Sequence, residues 1–272
     1  MITNIQEIEN PDIPKLTPIK EIMNICIQDI PKSIPHRNGF IYCCCGPPGS
    51  GKSSFILNLF KNKHLYRGKF DNIYYFCPES SFISVEKHPF EKHDKIYHEL
   101  TVENLESIYE QVIAIKEDSE CKDYNLILID DFANDLKNPD IIKVLSKFLI
   151  KSRHLQTAFI FTLQSYYLLH KQIRKLITNL TLFKPKNYSE WSSISDEIFN
   201  LNKDDGLKLY RYVFSEEYSH LDVDLINNVY YKNFNQLILT YKDDPVEKAG
   251  HLPDRIKQGE GLEQSKVQKL KS

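Results

Sequence analysis

The chain has 272 residues, 41% of them apolar, and a formal net charge of −2. That length suits one large α/β domain with appendages and a sizeable core. The near-neutral balance excludes a protein that binds nucleic acid through overall basicity, so any such contact must come from a local patch.

Residues 1–37 carry five prolines, Pro11, Pro14, Pro18, Pro31 and Pro35, and read as an extended arm lying over the core. The opening Met1-Ile2-Thr3-Asn4-Ile5-Gln6-Glu7 does not read as a signal peptide. No apolar run in the chain approaches the ~20 residues a membrane helix needs. The apolar run Phe40–Cys45 reads as a short buried strand, and Gly46-Pro47-Pro48-Gly49-Ser50-Gly51-Lys52-Ser53 follows it directly. The helix expected over Lys52–Lys61 completes a strand, glycine-rich turn and helix, the architecture of a phosphate cradle. Amides of Gly49, Ser50, Gly51, Lys52 and Ser53 would face phosphate oxygens, with Gly46 opening the turn and Ser54 closing it. Gly49 and Gly51 permit close approach and positive φ. Pro47 and Pro48 have no N–H and belong on the outer curve. Lys52 would reach the β and γ phosphates, and the Ser53 hydroxyl would bind Mg²⁺.

Further strands are expected at Asn72–Cys77, Asn125–Ile129, Ala158–Leu163 and Leu180–Phe183. Helices are expected at Val102–Lys116, Asp140–Ser152 and Leu169–Ile177. This alternation with apolar strands predicts an α/β fold, a mostly parallel sheet with helices on both faces, over residues 38–187. Residues 80–100 read as a polar loop whose His88, His93 and His98 fit no metal spacing and are expected in solvent. Residues 188–245 are expected to add helices and a hairpin, Val229–Phe234 with Gln236–Tyr241. Residues 246–272 read as a disordered polar tail. The six cysteines, Cys26, Cys43, Cys44, Cys45, Cys77 and Cys121, form no Cys-x-x-Cys pair. They suit buried free thiols in a reducing compartment.

The run Asn125-Leu126-Ile127-Leu128-Ile129-Asp130-Asp131 ends a strand in two carboxylates. Asp130 would hold magnesium beside Ser53, and Asp131 would orient the attacking water, unless it merely caps the following turn with Phe132 and Asn134. The strand Asn72–Cys77, between the two motifs in the chain, reads as the extra strand of the additional-strand ATPases. With the acidic pair it favours ATP hydrolysis over transfer to a small acceptor. Gln164, at the end of Ala158–Leu163, is placed to sense the γ-phosphate or the lytic water. Arg153 and Arg174 flank that strand. Either would meet transition-state charge across a subunit boundary, or serve in a salt bridge or DNA contact. From Ile141 to Ser189 there is no acidic residue, while Lys143, Lys147, Lys151, Arg153, Lys171, Arg174, Lys175, Lys184 and Lys186 all fall there. That stretch suits a phosphate backbone, or else a solvated or subunit-facing side.

Taken in order, Gly46–Ser53, Asn125–Asp131, Ser152-Arg153-His154 and Thr162-Leu163-Gln164-Ser165 resemble the genome-packaging ATPases of large DNA viruses and virophages, the poxvirus-type branch of the FtsK–HerA superfamily. The segment Ile173–Phe183 resembles that family's arginine-bearing segment and next strand. The family pattern often has Asp-Glu where this chain has Asp130-Asp131. The resemblance covers about residues 38–187. It implies a RecA-like additional-strand P-loop ATPase core in a homo-oligomeric ring, a hexamer by the resemblance, with ATP and Mg²⁺ bound between subunits. It further implies double-stranded DNA as the track, capsid or portal-vertex proteins as partners, no membrane, and a location in the virion or in a viral factory of the host cytoplasm. Two other readings remain: a P-loop kinase acting on nucleosides or nucleotides, and a nucleotide-dependent capsid assembly switch with little turnover.

Overall fold

The computed structural model describes residues 26–118 and 123–240. Among these, residues through Leu237 pack as one unit, and a second unit begins at Ile238. Most of the expected proline-rich arm, the tail and Cys121 lie outside the described residues.

One sheet organises the first unit. Its strands are β1 Ile41–Cys45, β2 Asn72–Phe76, β3 Ile96–Tyr97, β4 Asn125–Asp130, β5 Thr157–Leu163, β6 Asn179–Phe183, β7 His220–Asp224, β8 Val229–Lys232 and β9 Asn235–Leu237. Their order is β3-β2-β4-β5-β1-β6-β7-β8-β9. The first six in that order run parallel, and β7, β8 and β9 extend the sheet antiparallel from β6. Helices α1 Lys52–Lys61, α2 Glu79–Ile83, α3 Val102–Glu117, α4 Pro139–Ile150, α5 Lys171–Arg174, α6 Tyr188–Ile194 and α7 Lys203–Val213 complete the fold.

Side chains alternate across the central strands, and each face is covered by a helix layer. Tyr42 and Cys44 of β1, Leu126 and Leu128 of β4 and Ala158 and Ile160 of β5 share a buried cluster with Ile56, Leu57, Leu59 and Phe60 of α1. The opposite face carries Phe159, whose ring lies 5.1 Å from Phe148 of α4; Phe148 in turn meets Tyr109 of α3 at 5.0 Å. Phe148 and Phe159 are fully buried. Each such side chain contributes roughly 1.5–3 kcal/mol of apolar burial. Cys43, Cys44, Cys45 and Cys77 are buried free thiols, as their positions in apolar strands predicted.

The structure corrects several details. The strand that separates β1 from β4 is β5, which follows the acidic motif in the chain; β2 pairs on the far side of β4. Residues 80–100 are not a uniform polar loop, since the end of α2 and all of β3 lie there. His88 is buried rather than solvated, packed 4.3 Å from Phe82 and 5.5 Å from Tyr75, and burial lowers its pKa. The helix expected over Leu169–Ile177 contracts to α5, because the chain turns after Arg174 to feed β6. The antiparallel strand β7 was not anticipated. The second hairpin strand is β9, and Tyr241 lies outside the described residues.

Candidate nucleotide-binding site

Parallel strands send their C-terminal loops to one edge, the usual place for ligands in such sheets. Register aligns that edge closely. Cys45 pairs with Leu163, and Asp130 pairs with Thr162. With neighbouring strands about 4.8 Å apart, the end of β4 lies about 10 Å from the end of β1, one strand away on either side of β5. The turn at 46–53, the carboxylates at 130–131 and Gln164 therefore share one rim.

The glycine-rich turn is built for close approach. Gly46 donates its N–H to the Leu163 carbonyl at 3.1 Å. A methyl on Gly46 would fall 2.6 Å from Phe183 Cβ and 2.7 Å from Ser50 Oγ, so only glycine fits. Gly49 and Gly51 have φ of +78° and +95°, which other residues rarely adopt. Gly51 is the N-cap of α1 and offers no side-chain cap. The first amides of α1 thus keep both their donors and the positive end of the helix dipole for an anion. Ser50 Oγ is buried without a hydrogen-bond partner, a donor suited to a phosphate oxygen. Lys52 Nζ donates to the Pro47 carbonyl at 3.1 Å, so its ammonium lies folded over the turn. Ser53 and Ser54 are exposed at the start of α1.

Across the rim, Asp130 is buried and doubly held. The Thr162 hydroxyl donates to Oδ1, and the Tyr75 hydroxyl donates to Oδ2 at 3.3 Å. Burial pushes the Asp130 carboxyl above its ordinary range; Thr162 pulls it down, the Asp131 charge adds to the rise, and Tyr75 and Lys52 oppose it. Thr162 also accepts from the Asp131 N–H at 3.3 Å, which helps hold Asp131 at φ +62°, in the left-handed region. Asp131 is exposed, and its Oδ1 accepts from Gln164 Nε2 at 3.3 Å. A carboxylate held from two sides, beside a second carboxylate and a serine-bearing helix start, is a hard-oxygen donor set that fits magnesium.

Two of these groups were missed in the sequence. Thr162 is a polar residue near the end of the apolar run Ala158–Leu163, a visible signal. Tyr75 gives none, because nothing distinguishes it from Tyr74 until the strand's facing is known.

The arginines stand elsewhere. Arg174 has its side chain 12% exposed, its guanidinium 4.8 Å from the Tyr167 ring centre and 5.4 Å from that of Tyr166, and a 3.5 Å ion pair to Glu197. Arg153 is exposed before β5, at the opposite end of that strand from Gln164, with its backbone against Gly39. Among the nine cations of the acid-free stretch, all but Arg174 are exposed. Lys143, Lys147 and Lys151 recur every fourth residue along one side of α4 and just beyond it.

Comparison with known proteins agrees with this geometry. A sequence model of the family described as "Poxvirus A32 protein" matches residues 34–250. No curated protein matches the chain. Among solved structures, B204, the DNA-packaging ATPase from Sulfolobus turreted icosahedral virus, is 16% identical with a TM-score of 0.51, over 71% of this chain and 96% of that one. EssC (ATPases 2 and 3) from Geobacillus thermodenitrificans is 14% identical with a TM-score of 0.53, over 76% of this chain and 41% of that one. At these identities the likeness is one of fold. The family match spans the glycine-rich turn, the carboxylate pair, Gln164 and both arginines: the chain belongs to the poxvirus A32 protein family.

Proposed function

We propose that the protein is an ATPase that drives double-stranded DNA into a viral capsid. One observation carries the reading: the register that levels Cys45 with Leu163 and Asp130 with Thr162, so that a phosphate cradle and an acidic pair share one rim. Family membership supports the packaging role. The fold it shares with B204, the DNA-packaging ATPase of another virus, is consistent with that role.

Lys52 and the amides of residues 49–53 hold the phosphates, with Gly46 and Ser54 bounding the turn. Ser53 and Asp130 hold magnesium, which when bound supplies positive charge against the β and γ oxygens. Tyr75 and Thr162 fix the Asp130 oxygens toward that position. Asp131 orients water for attack, and Gln164, hydrogen-bonded to it, links water position to the state of the γ-phosphate. The chain works in a homo-oligomeric ring, with an arginine crossing to the neighbouring site. Arg153, exposed before β5, and Arg174, held by Tyr167 and Glu197, are the two candidates for that arginine. The exposed cations of residues 143–186 face the DNA backbone. Capsid or portal-vertex proteins anchor the ring, in the virion or in a viral factory of the host cytoplasm.

The test is ATP hydrolysis by the purified protein, with and without double-stranded DNA, at low and moderate salt. Stimulation by DNA that weakens with salt supports a translocase. Turnover only with a small phosphoryl acceptor would indicate a kinase, and binding without turnover an assembly switch.

A further inference from the structure

One aromatic ring stands in solvent against the phosphate turn. A methyl placed on Gly51 would lie 3.5 Å from Tyr218 Cδ1 and 3.9 Å from Phe183 Cε1. Tyr218 belongs to the segment joining α7 to β7. Phe214 before it and Ser219 and His220 after it are buried, so the segment is anchored on both sides. Yet Tyr218 itself is 63% exposed and has φ +60°, a conformation uncommon for a bulky side chain. Its side chain makes no hydrogen bond or ring stack with any described residue. A strained backbone at a ligand turn, presenting a bare apolar face, is the arrangement expected of a binding contact.

The sheet order says which part of a ligand would meet that ring. Relative to β1, the strands bearing Asp130, Asp131 and Gln164 lie on one side, and β6 and β7 lie on the other. A triphosphate whose terminal phosphate faces the carboxylates must direct its nucleoside toward β6 and β7. Tyr218 stands there, two residues before β7, with Phe183 ending β6 beside it. We propose that Tyr218 is the platform on which the base of the bound nucleotide stacks. The proposal rests on the nucleotide site described above and adds the residue that holds its base end. Stacking of this kind is sequence-tolerant, because every base has a π face. The contact therefore contributes affinity for nucleotides as a class rather than choice among them.

The test compares binding of ATP and of inorganic tripolyphosphate, by calorimetry with magnesium present, to the wild-type protein and to Tyr218→Asn and Tyr218→Trp. Asparagine tolerates positive φ, so it removes the ring without adding strain. Expected is a loss of ATP affinity of roughly 5- to 100-fold in Tyr218→Asn, with tripolyphosphate binding unchanged. Tyr218→Trp should keep ATP affinity and show indole fluorescence quenched by ATP but not by tripolyphosphate. Unchanged ATP affinity in Tyr218→Asn would overturn the proposal, as would an equal loss for both ligands, which would make Tyr218 a support of the turn. Failure of the wild-type protein to bind tripolyphosphate would remove the phosphate site, and the base platform with it.

Discussion

Gln164 donates through Nε2 to Asp131 Oδ1 at 3.3 Å, so the tips of β5 and β4 are joined at the rim where the glycine-rich turn lies. Asp131 is also fixed through its N–H to Thr162, one strand over. Replacing Asp131→Asn keeps the size and the contact with Gln164 but removes the charge that the proposed function assigns to orienting water. Nucleotide affinity should stay within about threefold, while the hydrolysis rate falls about 100-fold or more. Gln164→Ala should lower the rate less and leave affinity intact. Single-turnover rates beside equilibrium binding separate the two effects. Loss of binding in Asp131→Asn would assign it a structural role instead.

The Tyr75 hydroxyl is one of two donors on Asp130, and it comes from a strand outside the usual motifs. Tyr75→Phe removes that donor and preserves the ring packed against His88 and Phe90. The half-saturating magnesium concentration for nucleotide binding should rise about 10- to 100-fold, as for other groups that orient a metal ligand. Manganese binding followed by electron paramagnetic resonance reads this directly. An unchanged metal affinity would show that Thr162 alone suffices.

A buried polar pair beside β6 predicts opposed pH responses. Burial raises the Asp222 carboxyl to about 7, against hydrogen bonds from Thr181 at 2.6 Å and the Phe234 N–H at 3.2 Å. Burial among Phe55, Phe183 and Phe234 lowers the His220 imidazole to about 4. Asp222 sits above its unfolded value, so its contribution to stability is full below about pH 4 and is lost as pH rises toward 7. His220 sits below its unfolded value, so its contribution is full above about pH 6.5 and is lost as pH falls toward 4. The two slopes oppose one another across that interval. Relative to wild type, His220→Phe should therefore gain stability as pH falls from about 7.5 to 5.5, and Asp222→Asn should lose it, each by less than the full ~1.4 kcal/mol per pH unit, because His220 Nδ1 lies 3.5 Å from Asp222 Oδ2 and loss of one partner shifts the other. Denaturant melts at the two pH values check both signs; identical slopes in all three proteins would contradict the assignment.

Arg174 and Arg153 should separate by stability. Arg174→Ala removes a guanidinium stacked on two tyrosines and leaves Glu197 without its ion pair, at a cost of about 1–2 kcal/mol. Arg153→Ala, at an exposed position, should cost less than Arg174→Ala. If Arg153 crosses to a neighbouring site, its loss should lower hydrolysis in the assembled protein, and mixing with Lys52→Ala subunits should restore part of it. Restoration absent from that mixture would return the role to another residue.

The glycine-rich turn between β1 and α1 was legible because its backbone needs glycine: Gly49 and Gly51 take positive φ, and Gly46 has no room for a side chain. The carboxylates were legible as charges ending an apolar strand. β7 was missed although His220-Leu221-Asp222-Val223-Asp224 alternates polar with apolar residues, the period of a strand; its two aspartates suggested a solvated segment, whereas Asp222 is buried on hydrogen bonds from Thr181 and Phe234. His88 was misread for a related reason, since its spacing says nothing of the aromatic rings that β2 and α2 bring around it. An inserted strand was expected from the additional-strand reading, but it is β5 and not Asn72–Cys77 that lies between β1 and β4. Strand order is a long-range property, and the chain order of the motifs does not encode it.

The most direct measurement is magnesium-dependent ATP hydrolysis by the wild-type protein and by Lys52→Ala, each with double-stranded DNA at low salt. Wild type should turn over ATP faster with DNA than without, and Lys52→Ala should fall to background, about 100-fold lower or more. Equal turnover in the two proteins would contradict a catalytic pocket formed by the turn at 46–53 and the carboxylates at 130–131.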